Sequence, residues 1–145
     1  VTRTFILGEP DDRTRDIYET VLEANKRAIA AAKPGMTIKE LDHIARSYIE
    51  SKGYKTYTKD GKVIRYFNHG LSHGLGIEVH DPLGSHDFWN TVLKPGMVIT
   101  VEPGIYDAIN GIGVRIEDDV LITEDGARVL SEDIPKELDD IIIKI

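Results

Sequence analysis

The sequence predicts an α+β fold in which two amphipathic helices pack on an antiparallel sheet. Apolar residues recur at helical spacing over the first third of the chain. β-Branched runs separated by Gly- and Pro-containing turns fill the second half. At 145 residues and 41% hydrophobic side chains, the chain has the size of one domain with a core of its own.

The elements follow in order. Val1-Thr2-Arg3-Thr4-Phe5-Ile6-Leu7 reads as a strand, and Gly8-Glu9-Pro10-Asp11-Asp12 as a turn and helix start with acids in the first turn. Ile17, Val21, Ala24, Ala28 and Ala31, widened by Tyr18, Leu22 and Ile29, form an apolar stripe that ends at Lys33-Pro34-Gly35. Thr37 and Glu40 have the spacing of a capping box, in which each side chain satisfies a free backbone N–H of the other's turn. The second stripe is Ile38, Leu41, Ile44, Ala45, Tyr48 and Ile49, and Gly53 stops it. Both helices read as scaffold without chemistry. Residues 54–66 suggest a hairpin about Asp60-Gly61. A Gly/His-rich stretch over 68–81 and a loop through Pro82, Gly84 and Asn90 follow. In that loop His86 and Asp87 read as surface, and Phe88 and Trp89 as anchors. Lys94-Pro95-Gly96 turns into a strand over 97–101. Residues 104–113 read as a loop and 114–122 as a second strand. Glu124-Asp125-Gly126 turns into a third strand over 127–130.

Bulk properties exclude several classes. The net charge of −7 argues against a nucleic-acid partner, which needs a clustered positive surface. Residues 117–145 carry ten carboxylates against three cations, so this stretch holds the whole net charge and reads as solvated surface. No apolar run approaches the roughly 18–20 residues of a membrane helix. Without cysteine there is neither a disulfide framework nor a thiolate metal site. With no signal peptide visible, the expected location is cytoplasmic. Because the chain opens at Val1, inside a strand, it is expected to be a piece of a longer protein.

Three side chains stand where polar groups are costly. Glu102 ends the apolar run of the first long strand, and Glu117 interrupts the second. Inside a buried strand a carboxylate must be paired, protonated or metal-bound. His73 lies among glycines that let backbone pack closely round a site. One imidazole and two carboxylates suit a divalent ion such as Mn, Co, Fe or Zn. Taken alone, however, such a Glu is more often an edge residue or a partner for Arg115, and a lone His more often structural. Spacing by itself leaves both readings open.

Three longer stretches add to this. They are His69-Gly70-Leu71-Ser72-His73-Gly74-Leu75-Gly76-Ile77-Glu78-Val79-His80-Asp81, Thr100-Val101-Glu102-Pro103-Gly104-Ile105-Tyr106 and Gly113-Val114-Arg115-Ile116-Glu117-Asp118-Asp119. In this order they resemble the signature of the pita-bread (creatinase/aminopeptidase P-like) metallopeptidases, specifically the Xaa-Pro aminopeptidases and prolidases. The resemblance runs from Val1 to about residue 135. It implies the C-terminal half of a pita-bread catalytic domain over residues 1–145, and hydrolysis of peptide bonds next to proline assisted by two divalent ions, Mn first among them. Residue by residue, it implies His73, Glu102 and Glu117 as metal ligands, with Glu117 bridging. Glu102 would also take a proton from water, His80 and His69 would contact substrate, and Tyr106 and Arg115 would orient the ligands. Asp81 reads as capping or orienting its neighbour His80 and not as a metal ligand, and Asp118 would point away from Glu117 because neighbours on a strand alternate faces.

The family's ligand order is Asp, Asp, His, Glu, Glu, and only the last three have counterparts here. The second Asp would stand immediately before Val1. The chain alone is therefore expected to be inactive, to hold metal weakly or not at all, and to expose an apolar face that meets a second copy or the missing N-terminal half. Two rivals share the fold: a non-catalytic pita-bread module that binds peptides or proteins, and a metal-free hydrolase of the creatinase type. Retention of His73, Glu102 and Glu117 together argues against both.

Overall fold

A computed structural model describes residues 1–56, 66–83 and 86–144. The hairpin expected about Asp60-Gly61 lies outside the described residues. Helix α1 (Asp12–Ala31) begins where Asp11 accepts the Thr14 N–H at 2.7 Å. Helix α2 (Ile38–Ser51) carries the expected capping box between Thr37 and Glu40. It stops just before Gly53, whose φ of +90° favours glycine. Ile17, Val21, Ala24 and Ala28 of α1 are fully buried, as are Ile38, Leu41, Ala45 and Ile49 of α2. Each large aliphatic side chain so buried contributes about 2 kcal/mol before entropy is counted.

The strands are β1 (Ile6–Leu7), β2 (Val98–Val101), β3 (Gly104–Asp107), β4 (Ile112–Arg115), β5 (Asp118–Ile122), β6 (Ala127–Val129) and β7 (Ile142–Ile143), with a short helix α3 (Leu138–Ile141) before β7. An antiparallel sheet has the order β2-β5-β6, and β3 pairs antiparallel with β4. Strands β1 and β7 pair parallel. Helix α1 packs on α2 and reaches β2, β3, β4 and β6, so the core lies between the helical layer and the strands.

Several expectations need correction. The stretch over 104–113 is a β3–β4 hairpin and not a loop. Asp107 accepts from Asn110 across its turn, and the Gly and Asn content hid the alternation. The second strand expected over 114–122 is two strands that belong to different sheets. At the break, Ile116 N–H bonds to Pro103 O at 3.3 Å, and Glu117 pairs with Thr2 instead of β2. The opening strand shrinks to Ile6–Leu7 plus that isolated Thr2–Glu117 bridge. The acidic final stretch is not uniformly solvated, since Asp118, Ser131, Leu138 and Ile141 are all buried.

One ion pair fastens α1 to the hairpin. Arg13 Nε donates to Asp107 Oδ2 at 2.9 Å, and Asn110 Nδ2 donates to the same oxygen at 2.7 Å. The bonds from Asn110 and then Arg13 hold the Asp107 carboxyl down to about 2, below the ordinary 3.8. A depressed carboxyl contributes stability that is complete above its unfolded value and is lost as pH falls through its folded one. Asp107→Asn is therefore expected to lower stability at neutral pH and to flatten its loss between pH 3.8 and about 2. Thermal melts across that range check it; parallel wild-type and variant curves would contradict it.

Candidate metal centre

The three expected ligands converge. His73, Glu102 and Glu117 each offer an atom, and these atoms lie within 4.8 Å of one another. His73 Nε2 stands 3.4 Å from Glu102 Oε1 and 3.8 Å from Glu117 Oε1.

Backbone geometry explains the convergence. The segment carrying His73 lies along β2: Thr100 N–H donates to His73 O at 2.9 Å, and Glu102 N–H donates to Leu71 O at 2.8 Å. Glu102 sits one residue past the end of β2, and Glu117 one residue before β5, whose Asp118 pairs with Val101. Both carboxylates therefore emerge from the same end of one ladder. Thr2 Oγ1 donates to Glu117 Oε2 at 2.5 Å. Thr100 Oγ1 accepts the His73 N–H at 3.0 Å and donates to Glu102 Oε1 at 3.3 Å.

The His73 ring has a fixed orientation. Its Nδ1 lies 2.9 Å from Gly74 O. A carbonyl only accepts, so Nδ1 carries a proton and Nε2 is the ring nitrogen turned toward the two carboxylates. Two carboxylates and an imidazole nitrogen thus converge on one point, where a cation between them would offset the repulsion of the acids. The donor set fits a divalent ion of intermediate hardness. Burial, and next the Glu117 charge, push the Glu102 carboxyl above its ordinary value.

The remaining expected residues surround this cluster. His69 Nδ1 donates to Gly70 O at 2.8 Å, which leaves Nε2 to accept the Tyr106 hydroxyl proton at 2.8 Å. Burial pushes the Tyr106 hydroxyl up, against the opposing pull of Arg115. Close approach of Tyr106 requires Gly104, where a Cβ would stand 2.6 Å from the Tyr106 oxygen. Arg115 Nε donates to Thr2 Oγ1 at 3.2 Å, so it reaches Glu117 through that hydroxyl. The His80 ring stacks edge-on against His73 with centroids 4.6 Å apart. A second glycine makes this possible: at Gly74 a Cβ would meet Asp81 O at 2.7 Å, and the Gly74–Asp81 bridge folds His80 back over the site. Asp81 caps the following turn, accepting the Leu83 N–H at 2.8 Å.

Two openings flank the cluster. One, of about 350 Å³, is bounded by His69, His73, His80, Glu102 and Arg115. The other, of about 410 Å³, lies between Glu117, Asp119, Val1 and the exposed Ile77 and Val79. A roomier depression of about 610 Å³ over α2, beside Trp89 and His43, contains none of the converging ligands. Phe88 is partly buried against the core, as an anchor should be, while Trp89 is 44% exposed and lies over Gly70.

Sequence reasoning missed Asp42 and Arg46, which it placed on a helix without chemistry. Both are buried in α2. Asp42 Oδ1 accepts the Leu71 N–H at 3.0 Å, and Arg46 donates to the carbonyls of Phe67 (2.8 Å) and His69. Their signal is an Asp–Arg pair four residues apart on the apolar stripe of α2.

The model of metallopeptidase family M24 matches residues 1–124. The chain belongs to the M24 metallopeptidases. Family membership carries use of divalent metal with it. The Xaa-Pro dipeptidase of Pyrococcus furiosus is 54% identical to this M24 chain over 91% of the chain and 35% of the relative. The crystal structure of the Pyrococcus horikoshii OT3 prolidase superposes with a TM-score of 0.80 at 47% identity, over 94% of this chain and 36% of that one. The X-Pro aminopeptidase of Thermotoga maritima MSB8 gives 0.80 at 36% identity, over 97% and 36%. The M24 chain thus spans about a third of the length of these relatives. Its expected fold class stands: α+β, matching part of the pita-bread prolidases. No helix among the described residues is long and apolar enough to cross a membrane.

Proposed function

We propose that residues 1–145 form part of an M24 catalytic domain whose His73, Glu102 and Glu117 bind divalent metal, and that the complete protein hydrolyses peptide bonds next to proline. The observation that carries this is the convergence of His73 Nε2 on two carboxylates, at 3.4 and 3.8 Å. The names of its relatives, Xaa-Pro dipeptidase and X-Pro aminopeptidase, support the substrate class. A divalent ion held there, manganese before cobalt, zinc or iron, supplies Lewis acidity that polarises a carbonyl and acidifies water.

The chain's own residues take the other roles. Glu102, which lines the 350 Å³ opening beside His73 and His80, accepts the proton of the attacking water. His80, at the mouth of the 350 Å³ opening, donates a hydrogen bond to the substrate carbonyl oxygen. His69 lines the same opening and contacts the substrate there, its ring nitrogens engaged by Gly70 and Tyr106. Proline offers no N–H at the scissile bond, so recognition falls on its ring and on the carbonyls beside it.

The non-catalytic binding reading is weaker, because such a module gains nothing from converging two carboxylates and an imidazole on one point. Exposed Ile77 and Val79 at the rim of the second opening support further polypeptide, or a second copy, covering that side. With three ligands, the chain should take up one ion loosely. Calorimetric titration of the chain with Mn²⁺ tests this. Tight uptake of two ions per chain would overturn the incomplete-site reading, and uptake that Glu117→Ala leaves unchanged would overturn the metal reading.

A further inference from the structure

We propose that Lys136 and Asn25 are positioning residues that hold Glu117 and Glu102 at the separation a cation requires, acting through Asp118 and the Val101 carbonyl. The inference rests on the metal-binding reading above, and deepens it.

Neither carboxylate is fixed by the sheet that brings them together. The β2–β5 ladder ends at the Val101–Asp118 pair, and Glu102 and Glu117 both lie one residue beyond it. The side-chain network behind that pair closes the gap. Asp118 is fully buried and accepts from Lys136 Nζ at 2.5 Å, Ser131 Oγ at 2.7 Å and Arg3 Nη2 at 2.8 Å. The Lys136 ammonium also donates to Asn25 Oδ1 at 2.8 Å. Asn25, fully buried on α1, in turn donates from Nδ2 to Val101 O at 3.0 Å. An unbroken chain of hydrogen bonds therefore runs from the residue after Glu117 to the residue before Glu102.

Arg3 completes it on the other side. Its Nη1 donates to the Glu117 carbonyl at 2.6 Å, while Nη2 stays on Asp118. Asp118 is thus met by two cations, Arg3 and Lys136, which leaves a surplus positive charge behind two carboxylates that repel each other. Burial works to raise the Asp118 pKa, but the bonds from Lys136, Ser131 and Arg3 outweigh it and hold the group ionised. Ser131 and Lys136 both lie beyond residues 1–124 that the family model matches, so the segment after β6 contributes to the support of this site.

A core-filling role and a positioning role predict different results. Mn²⁺ affinity measured by calorimetry, the Co²⁺ visible spectrum and the ¹³C resonances of the Glu102 and Glu117 carboxyls without metal are to be recorded for the full chain, at a temperature where circular dichroism shows each variant folded. Lys136→Met should weaken Mn²⁺ binding about tenfold, alter the Co²⁺ spectrum and move both carboxyl resonances. Lys136→Arg, which keeps charge and donors, should recover most of the affinity. If Lys136→Met does not fold, Lys136→Gln carries the same expectation at smaller size. A folded Lys136→Met or Lys136→Gln with wild-type affinity and unmoved carboxyl resonances overturns the proposal. Should the wild type bind no metal, as three ligands alone allow, affinity does not decide. The resonances then decide: unmoved, they overturn positioning; moved, they support it.

Discussion

Replacing Glu117 by alanine is expected to cut Mn²⁺ affinity by more than about a hundredfold, beyond the range for residues that only support a ligand. Glu117 is one of three groups that converge, and it is held by the Thr2 hydroxyl at 2.5 Å, so its loss leaves His73 and Glu102 as a two-point site. The same change should act on Glu102. The Glu117 charge is, after burial, the largest cause of the raised Glu102 pKa, so that pKa should fall toward the ordinary carboxylate range. Glu117→Gln separates charge from shape: it retains an oxygen that can accept from Thr2, yet it should lose most of the affinity too. Calorimetric titration reads the binding, and carboxyl resonances followed against pH read the shift. Near wild-type affinity in Glu117→Ala would place the ion elsewhere.

The residues bearing on the centre were legible to very different degrees. His73, Glu102 and Glu117 stood out because Glu102 ends one apolar run, Glu117 interrupts another and His73 lies among glycines, but only the three longer stretches weighed them toward metal. The two helices were legible from period and caps, down to the Thr37–Glu40 box. What failed was the boundary at Glu117. Apolar residues resume at Val120 in the phase set by Val114 and Ile116, so the three acids between read as an interruption of one strand and not as a change of sheets between Arg115 and Asp118. That change is a tertiary event, driven by Thr2 taking the pairing position from 115 residues away. Asp118 illustrates the same limit. Within an acidic stretch it reads as solvated, and only the arrival of Arg3 and Lys136 from either end of the sequence makes its burial tolerable.

Arg46→Ala is expected to destabilise the fold by about 3–5 kcal/mol, the largest stability loss foreseen for any single change here. The side chains of Arg46 and Asp42 are only 3% and 4% exposed, with Nε and Oδ2 2.6 Å apart. Truncating Arg46 leaves the Asp42 carboxylate without its guanidinium and strips the Phe67 and His69 carbonyls of their donor. Cation–π packing on Phe67, at 4.1 Å from the ring centroid, goes as well. Exchanging both partners for apolar side chains, as in Asp42→Leu with Arg46→Met, should cost less than Arg46→Ala alone, because no charge is then left buried. Lysine would be a poor substitute, since one ammonium cannot reproduce a fork that grips a carboxylate and two carbonyls at once. Urea melts of the two singles and the double measure these terms; a loss below about 1 kcal/mol for Arg46→Ala would mark the pair as an ordinary surface contact. The consequence reaches past stability. Segment 67–71, which α2 grips through this pair, leads directly into His73, so even a variant rescued by low temperature should hold metal less tightly than its folded fraction implies.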